Sequence, residues 1–158
     1  LLSIIGFPDT GWGTFVTGGS NGNLLPMLVA RNKFANQGHK LEDLCVFYSE
    51  KSHYSLDTAC MVVGLPKANI IKIPTDEEDS INTHILSQKM KEVVSQCKTP
   101  FFVCATAGTT VVGKFEPIAE LASLVKNHDS CWLHVDGAHG GSVLFSEKYR
   151  HLLNRIIS

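Results

Sequence analysis

The chain lacks an excess of charge of either sign. Across 158 residues, fourteen Lys and Arg stand against fifteen Asp and Glu, a formal net charge of −1. That balance leaves no electrostatic footprint for nucleic acid or an anionic membrane surface. No Cys-x-x-Cys pair and no Cys/His cluster is present. The five cysteines (Cys45, Cys60, Cys97, Cys104, Cys131) are odd in number and scattered. Neither a disulfide framework nor a metal site is therefore expected, and reduced core thiols in a cytoplasmic protein are. No apolar run reaches membrane-spanning length. Repeats, low-complexity segments and interdomain linkers are missing too. The start, Leu1-Leu2-Ser3-Ile4-Ile5-Gly6, has neither an initiator Met nor the basic n-region of a signal peptide, so a piece of a longer polypeptide is expected.

What is present is an alternation of short apolar runs with amphipathic stretches, which predicts an α/β unit with a mostly parallel sheet. The expected strands are Leu44–Tyr48, Ile70–Ile73, Phe101–Ala105 and Trp132–Val135, each continuous enough to be covered on both faces. The expected helices are Asn21–Asn36, Tyr54–Val63, Thr83–Gln96 and Pro117–Asn127. Pro26 would fall in the early turns of the first, where a missing N–H costs least, and Gly38 would stop it. In the third, Ile85, Leu86, Met90, Val93 and Val94 share a side.

Four loops at the exits of these elements carry chemistry. Gly18-Gly19-Ser20-Asn21 precedes a helix, and glycines there let backbone N–H groups crowd an anion such as phosphate. The plainer reading makes Ser20 or Asn21 an N-cap. Asp136, closing the run Trp132-Leu133-His134-Val135, needs a partner if buried, because an isolated buried carboxylate is costly. A protonated ring nitrogen of a cofactor would serve; a metal site with His134 and His139, or a turn cap, are the alternatives. His53 follows a strand and opens a helix, where a flat imidazole could stack on an aromatic ring. Thr106-Ala107-Gly108-Thr109-Thr110 offers space and uncharged donors, though such strand exits are common.

In order and spacing these segments resemble the group II pyridoxal-phosphate decarboxylases, the family of the glutamate, cysteine sulfinate and aromatic amino acid decarboxylases. The matching text is Thr17-Gly18-Gly19-Ser20-Asn21-Gly22-Asn23-Leu24 with Ala30-Arg31, Ser49 to Ser55, Pro100 to Val111 with Gly113, and Trp132-Leu133-His134-Val135-Asp136. The resemblance implies a three-layer, aspartate-aminotransferase-like large domain of fold type I and the cofactor pyridoxal 5′-phosphate. It implies that Gly19 and Ser20 hold the phosphate and His53 stacks on the ring. Asp136 would pair with the ring nitrogen, Ala138 would pack on the opposite face, and Thr110 would lie near the ring hydroxyl or the substrate carboxylate. His53 and Asp136 are then the candidate catalytic residues. The implied reaction releases the α-carboxylate of an amino acid as carbon dioxide, with the protonated ring taking up the electrons.

Two departures stand out. No Asn-Pro-His-Lys-like segment, which carries the family's cofactor-binding lysine, follows Asp136, and neither Lys126 nor Lys148 sits in such a context. His139 takes a place often held by an aromatic residue, and Gly137 replaces a common alanine. The chain is accordingly expected to be part of the large domain, without the N-terminal segment, the lysine region or the small C-terminal domain. Alone it is expected to be inactive, within a homodimeric parent. The Ala-Gly-Thr-Thr-Val-x-Gly-x-Phe stretch and Gly140-Gly141 lean toward a glutamate- or cysteine-sulfinate-like substrate, whereas Tyr149-Arg150-His151-Leu152-Leu153 leans toward an aromatic one. The rival readings are another pyridoxal-phosphate activity of the same fold, such as an aminotransferase or lyase, and a non-catalytic remnant.

Overall fold

A computed structural model describes residues 2–128 and 131–153. The elements run α1 (Leu2–Ile5), α2 (Gly19–Asn36), β1 (Leu44–Ser49), α3 (Ser55–Val62), β2 (Ile70–Ile73), α4 (Thr83–Ser95), β3 (Thr99–Thr106), α5 (Ile118–Lys126) and β4 (Trp132–Asp136), with short 3₁₀ turns between and after them. The four strands form one parallel sheet in the order β2-β1-β3-β4. Because β1 is followed by β2 on one side and by β3 on the other, the strand order reverses between β1 and β3. Open α/β sheets bind ligands in the crevice at the carboxyl ends of strands flanking such a reversal.

Helices cover both faces, giving three layers. On one face α2 and α3 bring Met27, Ala30, Phe34, Leu56 and Ala59 against Val46, Tyr48, Phe102 and Cys104. On the other, α4 and α5 bring Leu86, Met90, Val93, Leu121 and Val125 against Phe47, Val103 and Ala105. The alternation of β1 and β3 residues between the two cores is the period-2 geometry of a strand. Both central strands are almost wholly buried. The outer strands β2 and β4 are only partly covered, which corrects the expectation of burial on both faces for every run.

Other boundaries also differ. β3 starts at Thr99 rather than Phe101, because Pro100 is accommodated opposite Cys45 where the β1–β3 register shifts. Helix α2 begins at Gly19, so the glycine loop is itself the first turn and Pro26 lies beyond that turn. The hydrogen bond Pro26 cannot donate is thus lost inside the helix. Gly38, with φ of +91°, ends α2 as expected. On α4, Val94 faces outward, leaving Leu86, Met90 and Val93 as the buried stripe. The cysteines are all free; Cys45, Cys60 and Cys104 are buried, whereas Cys97 is exposed.

Candidate cofactor site at the strand tips

A cavity of about 330 Å³ opens at the carboxyl ends of β1, β3 and β4, closed on one side by the start of α2. Gly19, Ser20, His53, Thr110, Asp136 and Ala138, six residues drawn from four separate segments, all line it, together with Asn23, Ser55, Thr106, Gly108 and His139. The described part of the cavity wall contains no lysine.

The α2 end of the cavity suits an anion. The first helical hydrogen bond runs from the Gly22 N–H to the Gly18 carbonyl at 3.0 Å, so the N–H groups of Gly19, Ser20 and Asn21 precede any intrahelical acceptor. Gly18 is the N-cap and offers no side chain; Asn21 instead bonds Thr17. The reading of Ser20 or Asn21 as an N-cap therefore fails. What remains is an uncapped helix start with the positive end of its dipole directed at the cavity. A Cβ on Gly19 would sit 3.1 Å from the Ala138 Cβ, so this wall admits glycine because the opposite one is so near.

Asp136 lies at the tip of β4, 9% exposed, opposite Thr106 in the register of β3. Its Oδ1 accepts the Ala138 N–H at 3.0 Å and its Oδ2 accepts an Asn23 Nδ2 hydrogen at 2.8 Å. Both donors are neutral, and none of the ion pairs among the described residues involves Asp136. A carboxylate this buried is stabilised by a cationic partner, which a protonated ring nitrogen supplies. Among the described residues no group of three or more His, Cys, Asp or Glu is placed to hold a metal ion. His134 points to Asn23, with Nε2 at 2.8 Å from Oδ1, and burial pushes its pKa down to about 4 against the opposing pull of Asp136.

His53 is half-buried, with Tyr54 packed on it at 4.3 Å between ring centroids. Its Nδ1 accepts the Ser55 backbone N–H at 3.2 Å and lies 2.8 Å from Ser55 Oγ. Thr106 Oγ1 and Ser52 Oγ are 3.2 Å apart. Thr110 is exposed at the rim, whereas Thr109 is buried and holds its loop by accepting the Lys114 N–H at 3.0 Å.

The sequence had not singled out Asn23, Ser55 or Glu116. Asn23 belongs to the glycine-rich segment and Ser55 stands two residues after His53, so both fall within the family-like text without a role of their own. Glu116 follows the Thr109–Phe115 loop; its Oε2 accepts the Thr106 N–H at 2.6 Å.

All 158 residues match the family model described as the pyridoxal-dependent decarboxylase conserved domain. The chain belongs to that family. Its cofactor is pyridoxal 5′-phosphate, which the uncapped helix start, the Gly19–Ala138 gap and the unpaired Asp136 all fit. An aromatic-L-amino-acid decarboxylase of Bacillus atrophaeus is 40% identical over 156 residues, 99% of this chain and 32% of that protein. The acidic amino acid decarboxylase GADL1 of Bos taurus is 35% identical over 161 residues, 99% of this chain and 30% of that protein. The chain thus spans about a third of the length of these relatives. Among solved structures, apo mouse CSAD superposes with a TM-score of 0.88 at 33% identity, covering 97% of this chain and 33% of that one. Catharanthus roseus tryptophan decarboxylase in complex with L-tryptophan gives 0.90 at 26% identity, covering 96% and 34%. The α/β architecture is the aspartate-aminotransferase-like fold of these decarboxylases.

Proposed function

We propose that this chain is the cofactor-cradling part of the large domain of an amino acid decarboxylase, a carboxy-lyase in the longer protein. The observation that carries the reading is Asp136, buried at a strand tip with two neutral donors and no cation among the described residues, across the cavity from an uncapped helix start. Gly19 and Ser20 would hold the phosphate through backbone N–H groups and the Ser20 hydroxyl. Asp136 would face the ring nitrogen and favour its protonated form. His53 and Ala138 would border the two ring faces, and Thr110 would reach the ring hydroxyl or the substrate carboxylate from the rim. When bound, the cofactor supplies an electron sink for the bond to the departing carboxylate. The chain's own residues bind it, orient it and hold that charge.

For the substrate, an acidic amino acid of the glutamate or cysteine sulfinate kind is favoured by the Thr109-Thr110-Val111 loop with Gly113 and Phe115, and by Gly140-Gly141. The relatives named above include both acidic and aromatic enzymes, so the branch rests on those residues alone. A homodimeric parent is supported by Trp12 and Phe15, 80% and 91% exposed on the segment leading into the cavity. A cytoplasmic setting is supported by the five free thiols. Because no lysine lines the described cavity, the 158 residues alone would bind the cofactor without turning over substrate.

The test is a titration of the chain and of its lysine-bearing longer form with pyridoxal phosphate, followed by carbon dioxide release from a panel of acidic and aromatic amino acids. The longer form is expected to release carbon dioxide and the 158-residue chain to hold cofactor that dialysis removes. A longer form that binds cofactor but yields only keto acid would replace decarboxylation with transamination.

A further inference from the structure

One amide joins the two candidate catalytic groups. Asn23, 2% exposed on α2, donates through Nδ2 to Asp136 Oδ2 at 2.8 Å and to Ser55 Oγ at 2.9 Å. Its Oδ1 lies 2.8 Å from His134 Nε2. A carboxamide has two N–H hydrogens and one carbonyl oxygen, and here all are engaged. The reversed amide would press a carbonyl oxygen against the Asp136 carboxylate with no proton between them, so the orientation is determined.

Everything attached to Asn23 inherits a direction from it. His134 must donate, so its proton is on Nε2, and its burial keeps the ring neutral. Ser55 Oγ accepts from Asn23, which turns its own hydrogen toward His53 Nδ1 at 2.8 Å. That nitrogen also accepts the Ser55 N–H. His53 Nδ1 is thus an acceptor twice over, and the ring proton resides on Nε2.

We propose that Asn23 is the positioning residue of this site: through Ser55 it holds His53 as the Nε2–H tautomer, and directly it aims the carboxylate of Asp136. The use made of that arrangement rests on the cofactor reading; the hydrogen-bond chain itself does not. The groups it ties together lie 32 and 113 residues from it in sequence. An aliphatic side chain at 23 would strip Asp136 of one donor, leave the His134 N–H unpaired in a buried setting and free the Ser55 hydroxyl to rotate.

The imidazole ¹⁵N spectrum of the ¹⁵N-histidine-labelled chain reports tautomer and protonation ring by ring. The native chain is expected to show the proton of both His53 and His134 on Nε2, with His134 neutral at pH 7. Asn23→Leu is expected to move the signals of both rings, although they sit on different elements, and to weaken pyridoxal phosphate binding about tenfold. Asn23→Asp places a carboxylate against His134 Nε2 and is expected to raise that ring's titration midpoint by at least one pH unit. Ser55→Ala is expected to disturb His53 and spare His134. If Asn23→Leu does not fold, the Ser55→Ala pattern decides the relay. His53 found with its proton on Nδ1 in the native chain, or unmoved by both Asn23→Leu and Ser55→Ala, overturns the proposal. Failure of every form to bind pyridoxal phosphate would remove the cofactor reading, with the ring spectra still deciding the role of Asn23.

Discussion

Gly19, in the first turn of α2, and Ala138, two residues past β4, approach so closely that a methyl group on Gly19 would lie 3.1 Å from the Ala138 Cβ. Contacts that tight force the neighbour to give by a few tenths of an ångström. Gly19→Ala is therefore expected to spread the helix start from the turn after β4 and to weaken pyridoxal phosphate affinity about tenfold, on the order of 1.4 kcal/mol. Gly19 is exposed, so the melting temperature should barely change. Unaltered affinity in a cofactor titration would remove Gly19 from the phosphate grip.

Asp136→Asn keeps the shape and removes the charge. One end of the new amide must then present N–H to the Ala138 N–H or to Asn23 Nδ2, both of which are donors. In a longer form that carries the family's lysine and decarboxylates as proposed, turnover should fall at least a hundredfold while cofactor affinity falls far less, because the proposed phosphate grip at Gly19 and Ser20 is untouched. Steady-state kinetics beside a binding titration separate the two. Near-native turnover would show that Asp136 does not face the ring nitrogen.

Glu116 makes stability depend on pH. Burial pushes its carboxyl up to about 7, with the Thr106 N–H working in the opposite direction. The folded chain holds this proton between about pH 4.5 and 7, where the unfolded chain has released it. The contribution to stability is therefore full below pH 4.5 and is lost as pH rises through about 7. Urea unfolding of the native chain should give lower stability at pH 8 than at pH 5 from this group. Glu116→Gln, which keeps a carbonyl for the Thr106 N–H, should shrink the difference; equal differences in the two proteins would contradict the assignment.

Cys97 occupies a backbone position that favours glycine. With φ of +60° it follows the end of α4, where the Lys98 N–H bonds the Val93 carbonyl at 2.9 Å and the Cys97 N–H bonds that of Val94 at 3.0 Å. Gly38 closes α2 with the same pair of bonds, from His39 to Phe34 and from Gly38 to Ala35. Replacing Cys97 with glycine should relieve the left-handed strain and stabilise the chain by about 0.5–1 kcal/mol, seen as a higher melting temperature. It also removes an exposed thiol.

The four strands, four of the helices and six of the residues lining the cavity were legible in the sequence because each rests on a strong local signal. Continuous apolar runs mark Leu44–Tyr48 and Phe101–Ala105, and small or polar residues at their exits mark the site. Ile70–Ile73 coincides with β2 to the residue. What stayed hidden depends on contacts between distant segments. Asn23 reads as one polar residue among several in a glycine-rich turn, and only the docking of β4 and α3 shows that both of its N–H hydrogens are engaged. Val94 looks like a core residue by spacing, yet the stripe that packs on the sheet is narrower. Pro100 looks like a strand boundary, yet a register shift admits it.

The reversal of strand order between β1 and β3 has a consequence for how the cavity comes into being. Helix α2 enters the chain before any strand, yet its first turn faces the tip of the last one, and the closing link from Asn23 to Asp136 spans 113 residues. Local stretches form only fragments of this site, His53 with Ser55 and Asp136 with Ala138; the loops that bring those fragments together must be closed before the Asn23 contacts are rewarded. Cofactor capture therefore reports on completed assembly. A chain that has built β1, β2 and β3 but not yet docked β4 has its helix start exposed and no acid to meet it. Pyridoxal phosphate should accordingly leave the early, sheet-forming phase of refolding unchanged and slow the first step of unfolding, the undocking of β4.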